Sequence, residues 1–279
     1  MQHPVPRSTT RPLAALLLLA TFSASPWAQP VTPQPLNDTG ITWSGNATSG
    51  NATTCDASHP AGQDCHYGRD KAAADGTLTK TGGSTLNNGI ANGFDYTKVC
   101  NSGQLAGQGT CPADPALGAG ADEWACTKDN VTGLIWEVKT TSGLRNQNHT
   151  YTWFNTNSPD GNPGTSSGAN ASCETAGRCD TEKYVADVNA SNSGAGLCGA
   201  TDWRMPTVRE LRSIADLGRT NPAIDLPFFP NTPPSSVVWS GSPYAGFSPS
   251  AWFVNFGNGH ANGSGRSNGY RVRLVRAGQ

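Results

Sequence analysis

Apolar positions are unevenly spread along this chain. From Glu123 onward they fall into short periodic runs, and before that they are scattered. Val131-Thr132-Gly133-Leu134-Ile135-Trp136-Glu137 reads as a turn followed by a buried strand. Tyr151-Thr152-Trp153-Phe154 is a short aromatic strand or helix entry. Asp180 or Thr181 is placed to cap a helix to about Asn189, with Tyr184, Val185 and Val188 on its inner face. Thr207 and Glu210 stand in capping-box spacing, where the hydroxyl accepts the third helical amide and the carboxylate reaches back. Val208, Leu211, Ile214 and Ala215 then make one apolar stripe, Pro206 is placed to pack on Leu211, and Gly218 to end the helix. Val237-Val238-Trp239-Ser240 reads as a third strand. Residues 251–256 alternate, with Trp252, Val254 and Phe256 on one face. Residues 270–276 alternate too, with Tyr270, Val272 and Leu274 facing one way and Arg271 and Arg273 the other. Between those two runs, residues 257–265 read as a Gly/Asn hairpin loop. Strands mixed with two short helices, without βαβ alternation, predict an α+β domain with a small, mainly antiparallel sheet.

Residues 29–121 carry little periodicity. They are rich in Gly, Asn, Thr, Ser, Ala and Pro, with one short strand predicted over 36–43 and a distinctive piece at 63–70. They read as a loop-rich extension held by disulfides, or as partly disordered chain. Residues 122–279 form the domain proper. Residues 1–28 read as a signal peptide: Arg7 and Arg11 are its basic start, residues 13–20 its apolar centre, and Ala28 its cleavage site. That centre is too short to span a bilayer, and no later segment is apolar enough to do so. The expected product is secreted, periplasmic or at the cell surface.

Composition adds two constraints. The chain has 19 Lys+Arg and 20 Asp+Glu, so losing Arg7 and Arg11 leaves 17 against 20, a net charge of −3. That excludes a general basic footprint for nucleic acid. Eight cysteines suit an oxidising compartment, and none forms a C-x-x-C pair. Eight cysteines allow 105 pairings. Short loops favour Cys55–Cys65, Cys100–Cys111 and Cys173–Cys179, which leaves Cys126–Cys198.

Candidate chemistry is sparse. No G-x-S-x-G, P-loop or H-E-x-x-H occurs, and the histidines after residue 28 (His59, His66, His149 and His260) show no ligand spacing. No catalytic residue, metal or cofactor is expected. Asp202, Arg204 and Glu210 lie close in sequence, but the cap accounts for Glu210 and an ion pair for Asp202. The best ligand-binding set is Trp252, Asn255, Asn258, His260, Asn262, Arg266, Asn268, Arg271 and Arg273. Rings stack on sugars, amides bond hydroxyls, and Arg forks hold sulfate or carboxylate. The bland reading puts Trp252 in the core and pairs the arginines with acids.

A set of landmarks resembles one family. They are residues 129–137 (Asp129-Asn130-Val131-Thr132-Gly133-Leu134-Ile135-Trp136-Glu137), Asp202-Trp203-Arg204-Met205-Pro206-Thr207 with Glu210-Leu211, and Asn221-Pro222-Ala223-Ile224-Asp225. Phe229-Pro230-Asn231-Thr232, Val238-Trp239-Ser240, Ala251-Trp252-Phe253-Val254-Asn255-Phe256 and residues 270–276 complete it. Their order over about 122–277 resembles the Legionella collagen-like protein C-terminal domain family. The resemblance implies a disulfide-stabilised C-type-lectin-like fold, with two short helices on a small twisted sheet and long binding loops. The namesake is an exported adhesive module that binds sulfated glycosaminoglycans and forms trimers. A glycan or an envelope or host surface protein is therefore the expected partner, and a homo-oligomer is left open. A lectin-type calcium site is disfavoured, since no Trp-Asn-Asp strand is present. The alternatives are an envelope interaction module without a small ligand and, less favoured, an enzyme of the formylglycine-generating type. Fold alone does not choose among them.

Overall fold

Two small antiparallel sheets, one of four strands and one of three, organise the chain in a computed structural model that describes residues 36–41, 43–46, 50–52, 63–81 and 93–278. The signal peptide and Cys55 lie outside those residues, and so does the Cys55–Cys65 pair. The leading part carries a hairpin of β1 (Ser44–Asn46) and β2 (Gly50–Ala52), then short helices α1 (Asp64–Tyr67) and α2 (Arg69–Ala74). The strand predicted over 36–43 is absent from its described residues.

The first main sheet runs β3 (Tyr96–Cys100), β4 (Trp124–Asp129), β5 (Leu134–Glu137) and β9 (Val275–Ala277). The boundary drawn at 121/122 thus falls inside a sheet, because β3 pairs with β4 from Tyr96–Asp129 to Cys100–Trp124. Side chains alternate across this sheet. Tyr96, Leu134, Trp136 and Val275 face a core shared with Leu211, Ile214, Val254 and Phe256. Val99, Ala125 and Ile135 face the opposite core, with Tyr184, Val188 and Trp203.

The helices form where predicted. In α3 (Thr181–Asn189) the Asp180 side chain accepts from the Lys183 amide, and Tyr184 and Val188 are buried. In α4 (Val208–Ser213) both halves of the Thr207–Glu210 capping box are present. Gly218 is not its end, however: Ile214 is the C-cap, and the chain then turns so that the Asp216 amide donates to Ala223.

The second sheet is β6 (Val237–Pro243), β7 (Ser250–Asn255) and β8 (His260–Gly265). Here the predicted hairpin loop is corrected. Its turn is confined to residues 256–259, and residues 260–265 pair with β7 from Asn255–His260 to Ser250–Gly265. The glycines hid this strand because they lower strand propensity.

Residues 270–276 are not one strand either. Tyr270 exchanges hydrogen bonds with Tyr151, Arg271 with Val237 and Trp239, Leu274 with Glu137, and Val275 with Arg204. The segment is a strap that changes partner almost residue by residue, joining β6 to β5. Being covered on both sides, it buries Arg273 to 2 % exposure beside Val272 and Leu274. Residues 151–154 behave similarly: Tyr151, Thr152 and Phe154 bridge to Tyr270, Asp180 and Gly164 in turn. Cys100–Cys111, Cys126–Cys198 and Cys173–Cys179 are bonded as expected.

Candidate functional site

The nine residues singled out around the C-terminal hairpin do not converge. Asn258, His260 and Asn262 are exposed, while Trp252, Asn255, Asn268 and Arg271 are half-buried. Strand register spreads them, with Trp252 opposite Gly263 and Asn255 opposite His260 at the turn. Several amides are already committed to the turn. Asn255 Oδ1 accepts from the Gly257 amide at 2.7 Å, and Asn258 Oδ1 meets His260 Nδ1 at 2.7 Å. Asn262 Oδ1 accepts from its neighbour Gly263, and Asn268 Nδ2 donates to Ser264 Oγ.

Arg266 is buried to 2 % exposure. Its guanidinium lies 4.1 Å over the Trp153 ring, donates to Asp160 Oδ2 at 2.5 Å and to the carbonyls of Asn162 and Ser250. It therefore ties loop 155–164 to the ends of β7 and β8, and does not reach solvent. Burial tends to raise the Asp160 carboxyl, but donation from Ser158 and Arg266 outweighs it and holds the group below its usual range.

What Arg266 anchors is one wall of an open groove of about 520 Å³, lined by Pro159, Asp160, Tyr244, Phe247 and Ser248 among others. The other wall is the turn after β6. The Tyr244 amide donates to Ser250, the Phe247 amide to Tyr244, and Asn162 Nδ2 reaches the Ser248 carbonyl at 2.9 Å. Gly246 sits at φ 81°, a left-handed turn position that L side chains rarely occupy. Tyr244 packs on Trp252 with centroids 4.6 Å apart and the rings tilted by 38°. Trp252 thus belongs to the groove's backing and to neither main core cluster. Phe247 is 59 % exposed. The groove is an aromatic shelf with a fixed carboxylate at its edge. Tyr244, Phe247 and Asp160 were missed from sequence. The available signal was a pair of aromatics inside Pro243-Tyr244-Ala245-Gly246-Phe247-Ser248-Pro249, where a turn leaves rings exposed.

A second, small cleft lies at the opposite end of β6. Lys139, Gln147, Asn231, Thr232, Arg271 and Arg273 contribute to its lining, and its volume is about 10 Å³. Behind it, Glu137 is fully buried. It accepts from Lys139 Nζ at 2.9 Å, from the Leu274 amide at 2.9 Å, and from the Tyr184 hydroxyl. Burial tends to raise its carboxyl, but Lys139 and these donors outweigh that and keep it ionised. Burial lowers Lys139 to about 8 and Arg273 to about 10. Arg273 donates to the Glu137 carbonyl at 2.6 Å and to Thr232 Oγ1 at 2.8 Å. The two predicted ligand arginines at 266 and 273 are accordingly interior residues.

The Asp202–Glu210 motif is likewise occupied. Asp202 meets Arg276 Nε at 2.6 Å, and Arg204 forks onto Glu210 at 2.6 and 2.8 Å. Among the described residues no group of three His, Cys, Asp or Glu side chains is disposed to hold a metal ion.

A family model described as the Lcl C-terminal domain matches residues 125–276. No curated protein and no solved structure matches the chain.

Proposed function

The chain belongs to the Lcl C-terminal domain family, and from that premise we propose that it is an exported, non-catalytic binding or adhesion protein of the bacterial envelope that recognises glycans. The observation that carries this reading is the shelf of Tyr244 and Phe247, backed by Trp252 and bordered by Asp160. An exposed ring supplies the flat apolar surface a pyranose face stacks on, and a fixed carboxylate accepts hydrogen bonds from hydroxyls. The Arg266 tether supports it, because a pre-organised wall lowers the ordering cost of binding. The C-type-lectin-like reading of the fold rests on the family, and α3 and α4 beside two small sheets agree with it. Export is supported by three disulfides, which persist in oxidising space. The non-catalytic reading is supported by the same bonds: Cys100, Cys111, Cys126, Cys173, Cys179 and Cys198 are all oxidised, whereas a formylglycine-generating chemistry needs reactive thiols.

A glycan array with the full chain, run alongside Phe247→Ala, tests the proposal. Phe247 is exposed, so its truncation should leave stability within about 0.5 kcal/mol and remove glycan binding. Binding that survives Phe247→Ala moves the site elsewhere. A blank array with a specific envelope protein captured through the same shelf replaces glycan recognition by a protein-interaction role.

A further inference from the structure

The groove between loop 155–164 and the turn after β6 carries charge of one sign. Among the described residues that line it, Asp160 is the charged one, and no lysine, arginine or histidine joins it. The cation paired with Asp160 stands behind the wall. The Arg266 side chain is 2 % exposed, whereas that of Asp160 is 25 % exposed. The guanidinium is spent on Asp160, on the Ser250 and Asn162 carbonyls and on the Trp153 ring. A ligand in the groove therefore meets the carboxylate end of this pair and not the guanidinium.

The carboxylate keeps room for one more donor. Oδ1 accepts from the Ser158 hydroxyl at 2.6 Å and from the Asn162 amide at 3.2 Å, and Oδ2 accepts from Arg266. Those three donors fill all but one of about four acceptor positions on a carboxylate. The aromatic wall acts in the same sense. Tyr244 lies across Gly263 of β8, where a Cβ would come within 2.3 Å of the ring, and packs on Trp252. Phe247 presents its ring to solvent. Ring faces carry negative potential and attract cations. The carboxylate and both rings thus favour a positive group and repel an anionic one.

We propose that the groove selects an amino sugar with a free ammonium group, its ring lying on Tyr244 and Phe247 and its ammonium donating to Asp160 Oδ2, and that it rejects sulfated and carboxylated rings. The inference rests on the glycan reading of this groove and fixes the charge of the sugar, with Asp160 as the specificity-determining residue. A basic peptide offers ammonium groups as well. Its lysine stems, however, must be ordered to lie along the shelf, whereas a pyranose presents a rigid face to it.

Three tetrasaccharides of one linkage test this with the full chain: the glucosamine tetramer, its N-acetyl form and its N-sulfo form. They carry an ammonium, a neutral amide or an anion on the same ring. Affinities are measured by calorimetry at a mildly acidic pH that keeps the amine protonated, where Asp160, held below its usual range, stays ionised. The glucosamine tetramer should bind about tenfold or more tighter than the N-acetyl form, and the N-sulfo form should not bind. Raising sodium chloride from about 0.02 M to about 0.5 M should weaken the first and leave the second unchanged, a readout that needs no variant. In Asp160→Asn, checked for wild-type melting, the first two should bind within about threefold of each other. Equal affinity for the three forms, or a preference for the N-sulfo form, overturns the charge selection and leaves a Phe247-dependent array signal intact. A tetralysine peptide that binds as tightly as the glucosamine tetramer overturns the sugar in favour of a basic peptide. Failure of all three tetrasaccharides to bind overturns the proposal, and a blank array besides removes the glycan reading with it.

Discussion

Thr207 carries more of α4 than its size suggests. A six-residue helix is far too short to hold itself in water, so its ends decide whether it forms. Thr207 Oγ1 accepts from the Glu210 amide at 3.2 Å, and Glu210 accepts from the Thr207 amide at 2.7 Å and from the Arg204 fork. Thr207→Ala should cost roughly 0.5–2 kcal/mol in urea unfolding and leave any glycan affinity unchanged. A mutant with wild-type unfolding and lost binding would contradict that assignment. This cap was legible in the sequence because all its parts lie within four residues. Arg266 and Arg273 were misplaced for the opposite reason. Arg266 is sequestered by Asp160, 106 positions away, and Arg273 by the Glu137 carbonyl, 136 positions away. No local pattern marks an arginine whose partner is that remote. The same holds for the groove, whose turn aromatics lie three positions apart but whose facing wall is loop 155–164.

At the scale of elements, the seam between α2 and β3 stores a titration. Asp70 on α2 is 4 % exposed, and one of its oxygens accepts from the Gly93 amide just before β3. Burial, then the neighbouring Asp38 carboxylate, pushes it up to about 8. Asp129, at the end of β4, is pushed up to about 6, chiefly by burial. A carboxyl raised on folding binds its proton more tightly in the folded state. Its stabilisation is therefore full below the unfolded value near 4 and is lost as pH rises through the folded value. The melting temperature should fall between pH 5 and pH 8, and Asp70→Asn should flatten that slope. An unchanged slope in the variant would exclude Asp70 as its source. α3 was readable from its apolar periodicity and β5 from its continuous apolar run. β8 was not, because its glycines suppress the strand signal, and the 270–276 strap was not, because pairing with several strands in turn leaves no single polar face.

For the whole molecule, cross-links of different reach should matter unequally. Cys126–Cys198 spans 72 residues and joins β4 to the segment before Trp203, whereas Cys173–Cys179 spans 6. Loop-closure entropy assigns roughly 4 kcal/mol to the longer link and roughly 2 kcal/mol to the shorter. Paired Cys→Ala replacements, compared by thermal and urea unfolding, should show that order. Equal losses would mean that local strain or residual unfolded structure outweighs chain entropy.

The strap has one more consequence, and it concerns time. β5 is buried along its whole length, yet one of its two edges is covered by β9, so that Trp136 pairs with Val275. Synthesis proceeds from the N-terminus at about 5–20 residues per second, so the β5 edge waits roughly seven to thirty seconds for its neighbour. During that interval Leu134, Ile135 and Trp136 present an open, apolar template to any other nascent chain. A chaperone bound to the nascent chain would shield the edge until its partner arrives.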